Sequence, residues 1–143
     1  MEKELGKKSY KLFIAWLMSY ISTLILCVRI MENIWPDKGG PYSAKVIGVI
    51  TLMMLCILFV VIYKTEKVYW VNGISYKEAL NATSTQRKIY AKRHLDRFLL
   101  ANAVYVIYCG LDLIMVTNIV SDICVLVFAI LVATLSTIPI KLQ

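Results

Sequence analysis

Five polar residues lie in or beside apolar stretches of this chain: Arg29, Asn102, Asp112, Asn118 and Asp122. An ionisable group in such surroundings is costly unless it pairs or faces a cavity, so it marks either a structural ion pair or a path for protons or ions. Asparagines in the same setting can hydrogen-bond between helices, contributing roughly 0.6–2 kcal/mol each. The four cysteines, Cys27, Cys56, Cys109 and Cys124, form no CxxC pair. Cysteine in an apolar stretch behaves as a small apolar residue. The single histidine, His94, has no acid at helical spacing; Asp96 is two residues away on another face. No Ser–His–Asp set, catalytic carboxylate pair, HExxH or Gly-rich phosphate loop is present, and no cofactor or metal is expected.

The elements that must position these residues are long and apolar. Of 143 residues, 59% are hydrophobic and 17% charged, against about 45–50% and 25% in soluble domains. Leu12 to Val28, Val46 to Tyr63 and Ile123 to Ile140 carry no charge, and about 18 or more such residues suffice to span a bilayer. The spacing predicts an all-α, four-span transmembrane bundle forming a single membrane domain over 1–143. Its spans run from about 12 to 31, 45 to 63, 98 to 120 and 123 to 140, and residues 64–97 form a helical cytoplasmic hairpin between spans two and three. The first run is too long for a signal-peptide core and lacks a small-residue cleavage site, so it reads as a retained span. Asn33 to Pro41 reads as a turn that no helix crosses, and Gly73 as the stop after span two.

Half of the 16 basic residues lie in the central stretch: Lys64, Lys67, Lys77, Arg87, Lys88, Lys92, Arg93 and Arg97. With four in the N-terminal tail and Lys141 in the C-terminal tail, they face only Arg29, Lys38 and Lys45 on the other side. The positive-inside rule then makes both termini and the central stretch cytoplasmic, with the plasma membrane the expected location. The net charge of +7 points to anionic lipid headgroups. Arg87, Lys88, Lys92, Arg93 and Arg97 are the candidate contacts with such lipids or with a partner. Nucleic acid is not an expected partner, since no recognition module appears.

Within that stretch Ser75–Glu78 and Thr83–Gln86 fit capping boxes. After Ser84 no Gly or Pro appears until Gly110, which predicts one helix running into span three. Ala91, Leu95, Phe98, Asn102, Tyr105, Cys109 and Asp112 recur every three or four residues. They make one face, expected to pack on the extension of span two. Asp112 lies about 14 residues into span three, roughly 21 Å, and Arg29 about 17 residues into span one, roughly 25 Å. Both fall toward the outer side, so Arg29 is expected to pair with Asp112 or Asp122.

Known four-span families give no resemblance. The first span lacks the glutamate of small multidrug exporters, the CxxC of quinone-coupled disulfide-forming enzymes is absent, and the residues typical of small fluoride channels are not found. The expectation is a non-enzymatic accessory or regulatory membrane protein acting through helix packing with itself or a membrane partner. A small oligomeric transporter or channel using Asp112 and Arg29 is the alternative, and an enzyme acting on lipid headgroups ranks third.

Overall fold

The computed structural model describes residues 7–34, 39–71, 73–115 and 118–142, without the side chains of 39–41 and 112–115. Over these residues the chain is helical, with no strands. Its elements are α1 (Lys11–Ile34), α2 (Gly39–Thr65), a 3-10 turn (Val68–Trp70), α3 (Tyr76–Asn81), α4 (Ser84–Met115) and α5 (Ile119–Thr137). Among the described residues three stretches are long and apolar enough to cross a membrane: α1, Tyr42–Thr65 of α2, and α5. These make the chain a membrane protein by length and composition. The remaining expected span falls on α4, where residues 98–111 carry no charge and residues 84–97 carry all of the helix's basic ones.

Three boundaries differ from expectation. Helix α2 begins at Gly39, inside the segment read as a turn. Pro41 then falls in the first turn, where an N–H has no helical partner to lose. The same helix ends at Thr65, well before Gly73. Glu66 stops it by adopting a left-handed conformation, φ 61°, which a side chain other than Gly or Asn rarely takes. Finally, α4 ends at Met115, so Asn118 and Val120 lie outside it, with Val120 in α5.

Both capping boxes form. The Ser75 hydroxyl accepts from Glu78 N at 3.1 Å and the Glu78 carboxylate accepts from Ser75 N at 2.6 Å. Thr83 and Gln86 do the same at 3.2 and 2.7 Å. From the second box α4 runs 32 residues, about 48 Å, without interruption.

Helix α2 is the hub: it packs along α4 and also touches α1 and α5, while α4 packs on α5. Its buried stripe is Lys45, Gly48, Leu52, Cys56, Phe59, Ile62 and then Glu66. The facing stripe on α4 is Arg87, Tyr90, Ala91, His94, Phe98 and Tyr105. Steps of three and four keep each stripe on one side of its helix, and α2 and α4 run antiparallel. Glu66 therefore meets Arg87, Phe59 stacks on Phe98 with centroids 5.0 Å apart, and Gly48 meets Tyr105. A Cβ on Gly48 would collide with the Tyr105 ring and hydroxyl, so glycine here permits the close approach.

Helix α1 sits to one side, on α2. The indole of Trp16 donates to Met54 O at 3.0 Å. Thr51 Oγ1 donates to Ile47 O, so the Tyr20 hydroxyl, 3.1 Å from it, is the donor between them. Preceding the helix, Ser9 is held by Tyr69 and Trp70: its carbonyl accepts from both, at 3.1 and 3.2 Å, and its N–H donates to the Tyr69 hydroxyl at 3.0 Å.

Candidate functional site

Two buried ionic groups and one cleft bring polar side chains of different elements together. At the end of the molecule where α2 begins, Lys45 donates to Asp122 Oδ2 at 2.8 Å, and the Tyr108 hydroxyl donates to Asp122 Oδ1 at 2.9 Å. Asp122 is 0% exposed. Lys45 comes from the first turns of α2, Tyr108 from α4, and Asp122 from the first turn of α5, where a carboxylate also complements the helix dipole. Asp122 is thus the acid of a strut joining three helices.

The cation expected there was Arg29. Its side chain is instead 77% exposed and lies 3.7 Å from Glu32, one turn along α1. The cation that meets Asp122 is Lys45, which opens its apolar run as Asp122 nearly opens the next. That shared position was the available signal. Among the described residues Asn118 caps α5, its Oδ1 accepting from Ser121 N at 2.9 Å and Ser121 Oγ at 3.1 Å. Asp112 lies in α4 but its side chain is outside the described residues. Asn102 does face inward, and its Oδ1 and the Tyr105 hydroxyl are buried without a hydrogen-bonding partner among the described residues.

At the opposite end Arg87 is buried and cannot be a lipid or partner contact. Its Nε and Nη2 donate to Glu66 Oε2 at 3.0 and 2.8 Å, and its Nη1 donates to the Ala79 carbonyl at 3.2 Å and to that of Ala82. Ser84 Oγ donates to Glu66 Oε1 at 2.7 Å, with Lys88 at 3.6 Å. One guanidinium thereby joins the end of α2, the end of α3 and the start of α4. Burial by itself would raise the Glu66 pKa; the hydrogen bonds from Ser84 and Arg87 and the charges of Arg87 and Lys88 outweigh it and hold the carboxyl below its ordinary value. Lys88, Lys92, Arg93 and Arg97 are exposed, as lipid or partner contacts must be.

Beside this lock lies an open cleft of about 960 Å³ between α2, α4, α5, the 70–82 segment and the C-terminal residues. Phe59, Ile62 and Phe98 form an apolar floor; Glu78, Asn81, Gln86 and Lys141 bring polar groups. His94 lines it between the two, stacked on Phe59 at 5.5 Å and packed on Tyr90 at 4.3 Å. Its Nδ1 lies 3.0 Å from the Tyr90 carbonyl and donates to it. Burial lowers the His94 pKa more than this bond raises it, so the ring is neutral at pH 7. Glu78 is held anionic by the backbone and side-chain hydrogen bonds of Ser75. Sequence reasoning missed the cleft because its walls come from segments far apart in the chain.

No disulfide joins the cysteines, Cys27 and Cys124 included. Among the described residues no three His, Cys, Asp or Glu side chains cluster as metal ligands would. No protein-family model matches this chain, and neither curated proteins nor solved structures match it.

Proposed function

We propose that this chain is a four-span plasma-membrane protein that acts through helix packing, as a non-enzymatic accessory or regulatory component bound to a second copy or to a membrane partner. Both termini and residues 64–97 face the cytoplasm in this reading, and α4 supplies the remaining span through its uncharged half. The observation that carries it is the position of α1. Among the helices it packs substantially only on α2, and Met18, Ile25 and Leu26 on its outward side are 59–60% exposed. Ionic groups that could carry chemistry are meanwhile engaged as struts, Lys45 with Asp122 and Glu66 with Arg87.

Liposomes containing only this protein should show no conductance or flux. Substituting Met18, Ile25 and Leu26 by serine should alter self-association or co-purification with a membrane partner and leave the melting temperature nearly unchanged. Impermeant thiol labelling of single-cysteine variants at Lys92 and Glu32 should reach them from opposite faces; labelling from one face would end the four-span topology.

A second reading, a small oligomeric transporter or channel using Asp112 and Arg29, is favoured by one observation. Asn102 Oδ1 and the Tyr105 hydroxyl, buried without a hydrogen-bonding partner among the described residues, lie on α4 before Asp112, where a water or ion could meet them. Flux that falls in Asp112→Asn would establish it over the first.

A further inference from the structure

The cleft beside the Glu66–Arg87 lock takes no part in that reading, and its chemistry specifies an occupant. Three features bear on it. First, its level: α4 passes from charged to uncharged between Arg97 and Phe98, the height at which a bilayer surface meets it if its uncharged half spans. The cleft straddles this height, with Leu58 and Phe98 on the apolar side and Gln86 on the polar side. Second, its walls: an apolar floor grading into amide, carboxylate and ammonium groups suits an amphiphile rather than a wholly polar solute. At about 960 Å³ it is at the upper end of ligand-pocket sizes. Third, its charges: among the described lining residues the formal charges are one acid, Glu78, and one base, Lys141, both exposed. A headgroup with one phosphate and one ammonium complements both. A purely anionic headgroup would set its charge against Glu78, and it has a better place outside the cleft, on exposed Lys88, Lys92, Arg93 and Arg97.

We propose that this cleft binds one zwitterionic phospholipid of the bilayer, with an acyl chain on the Phe59, Ile62 and Phe98 floor and the headgroup between Lys141 and Glu78. The assignment rests on the four-span placement of α4 and not on the accessory role, so either of those two can fail without the other.

The test is lipid retention by the purified full chain, read by native mass spectrometry after equilibration with an equimolar mixture of phosphatidylethanolamine, phosphatidylcholine and phosphatidylglycerol. A single zwitterionic lipid should stay bound in preference to phosphatidylglycerol. Glu78→Gln, which keeps the capping box, and Lys141→Gln should each lower that retention several-fold. Thr134→Trp, which fills the cleft from α5, should abolish it. Lys88→Gln with Lys92→Gln should leave it unchanged. Should Thr134→Trp unfold the protein, the two exposed headgroup variants decide alone. Preferential retention of phosphatidylglycerol, loss of the lipid in the Lys88 and Lys92 variant, equal retention in all variants, or no retained lipid would each overturn the assignment.

Discussion

Arg87 looked like any other cation of a basic segment, yet it is the residue on which three elements converge. Its side chain and that of Glu66 are 4% and 3% exposed, so removing one leaves the other charged and buried. Arg87→Ala should cost about 3–5 kcal/mol and lower the melting temperature in detergent. Glu66→Gly with Arg87→Met should recover much of this, because it removes both charges and glycine suits φ 61°. The pair also predicts an acid limb. The folded-state pKa of Glu66 is lowered, so its contribution is complete above the ordinary carboxylate value and is lost as pH falls through the lowered one; the double variant should lack that loss. His94 acts at milder pH. Burial lowers its pKa, so below about 6.5 the unfolded chain takes up the proton first. Stability should fall as pH drops from 7 through this range, and His94→Phe, which keeps the stack on Phe59, should flatten the slope. Neither role was legible from sequence, because a cation at a helix start or a histidine in a basic run looks the same buried or solvated. What distinguishes them is the partner from another element.

Local signals did specify elements well. Uncharged runs marked the apolar helices, and the two capping boxes set where α3 and α4 start. The three-and-four spacing through Ala91, Phe98 and Tyr105 marked the face of α4 that packs on α2. Helix ends were read less well where a rare conformation supplied the stop: Gly73 was the natural choice, but Glu66 takes the left-handed turn because Arg87 and Ser84 hold its carboxylate. At this scale the decisive contact is Gly48 with Tyr105. Gly48→Ala should destabilise by about 1–3 kcal/mol, as overpacking of a tight site does, since the atoms in the way belong to a ring that is 0% exposed. Tyr105→Phe should not relieve it, because ring carbons as well as the hydroxyl lie within reach of the new methyl. Tyr105→Leu should, and a thermal-melting double-mutant cycle should show Gly48→Ala nearly neutral in that background; a loss independent of residue 105 would reject the contact.

How the helices associate is the part least visible in the sequence, since apolar runs of similar composition do not say which neighbour each prefers. The arrangement is uneven. Helices α2, α4 and α5 contact one another and are joined at one end by Lys45, Tyr108 and Asp122, and α2 and α4 are joined again nearer the other by the Phe59, His94 and Phe98 stack. Helix α1 is attached to the rest by Trp16, Tyr20 and the Ser9 anchor. Parts of a protein with few buried contacts open at lower free energy than the rest. Only Met31 of α1 is buried, so α1 should separate from α2 as a unit while the other three helices stay packed. In hydrogen exchange on the protein in lipid nanodiscs, backbone amides of α1 should exchange before those of α2 and α4. Trp16→Phe with Tyr20→Phe should widen that gap by accelerating α1 and leaving α4 unchanged. Exchange of α1 and α4 at one common rate, responding together to the α1 substitutions, would mean that the four helices open as a single cooperative unit and that α1 is not the separable element.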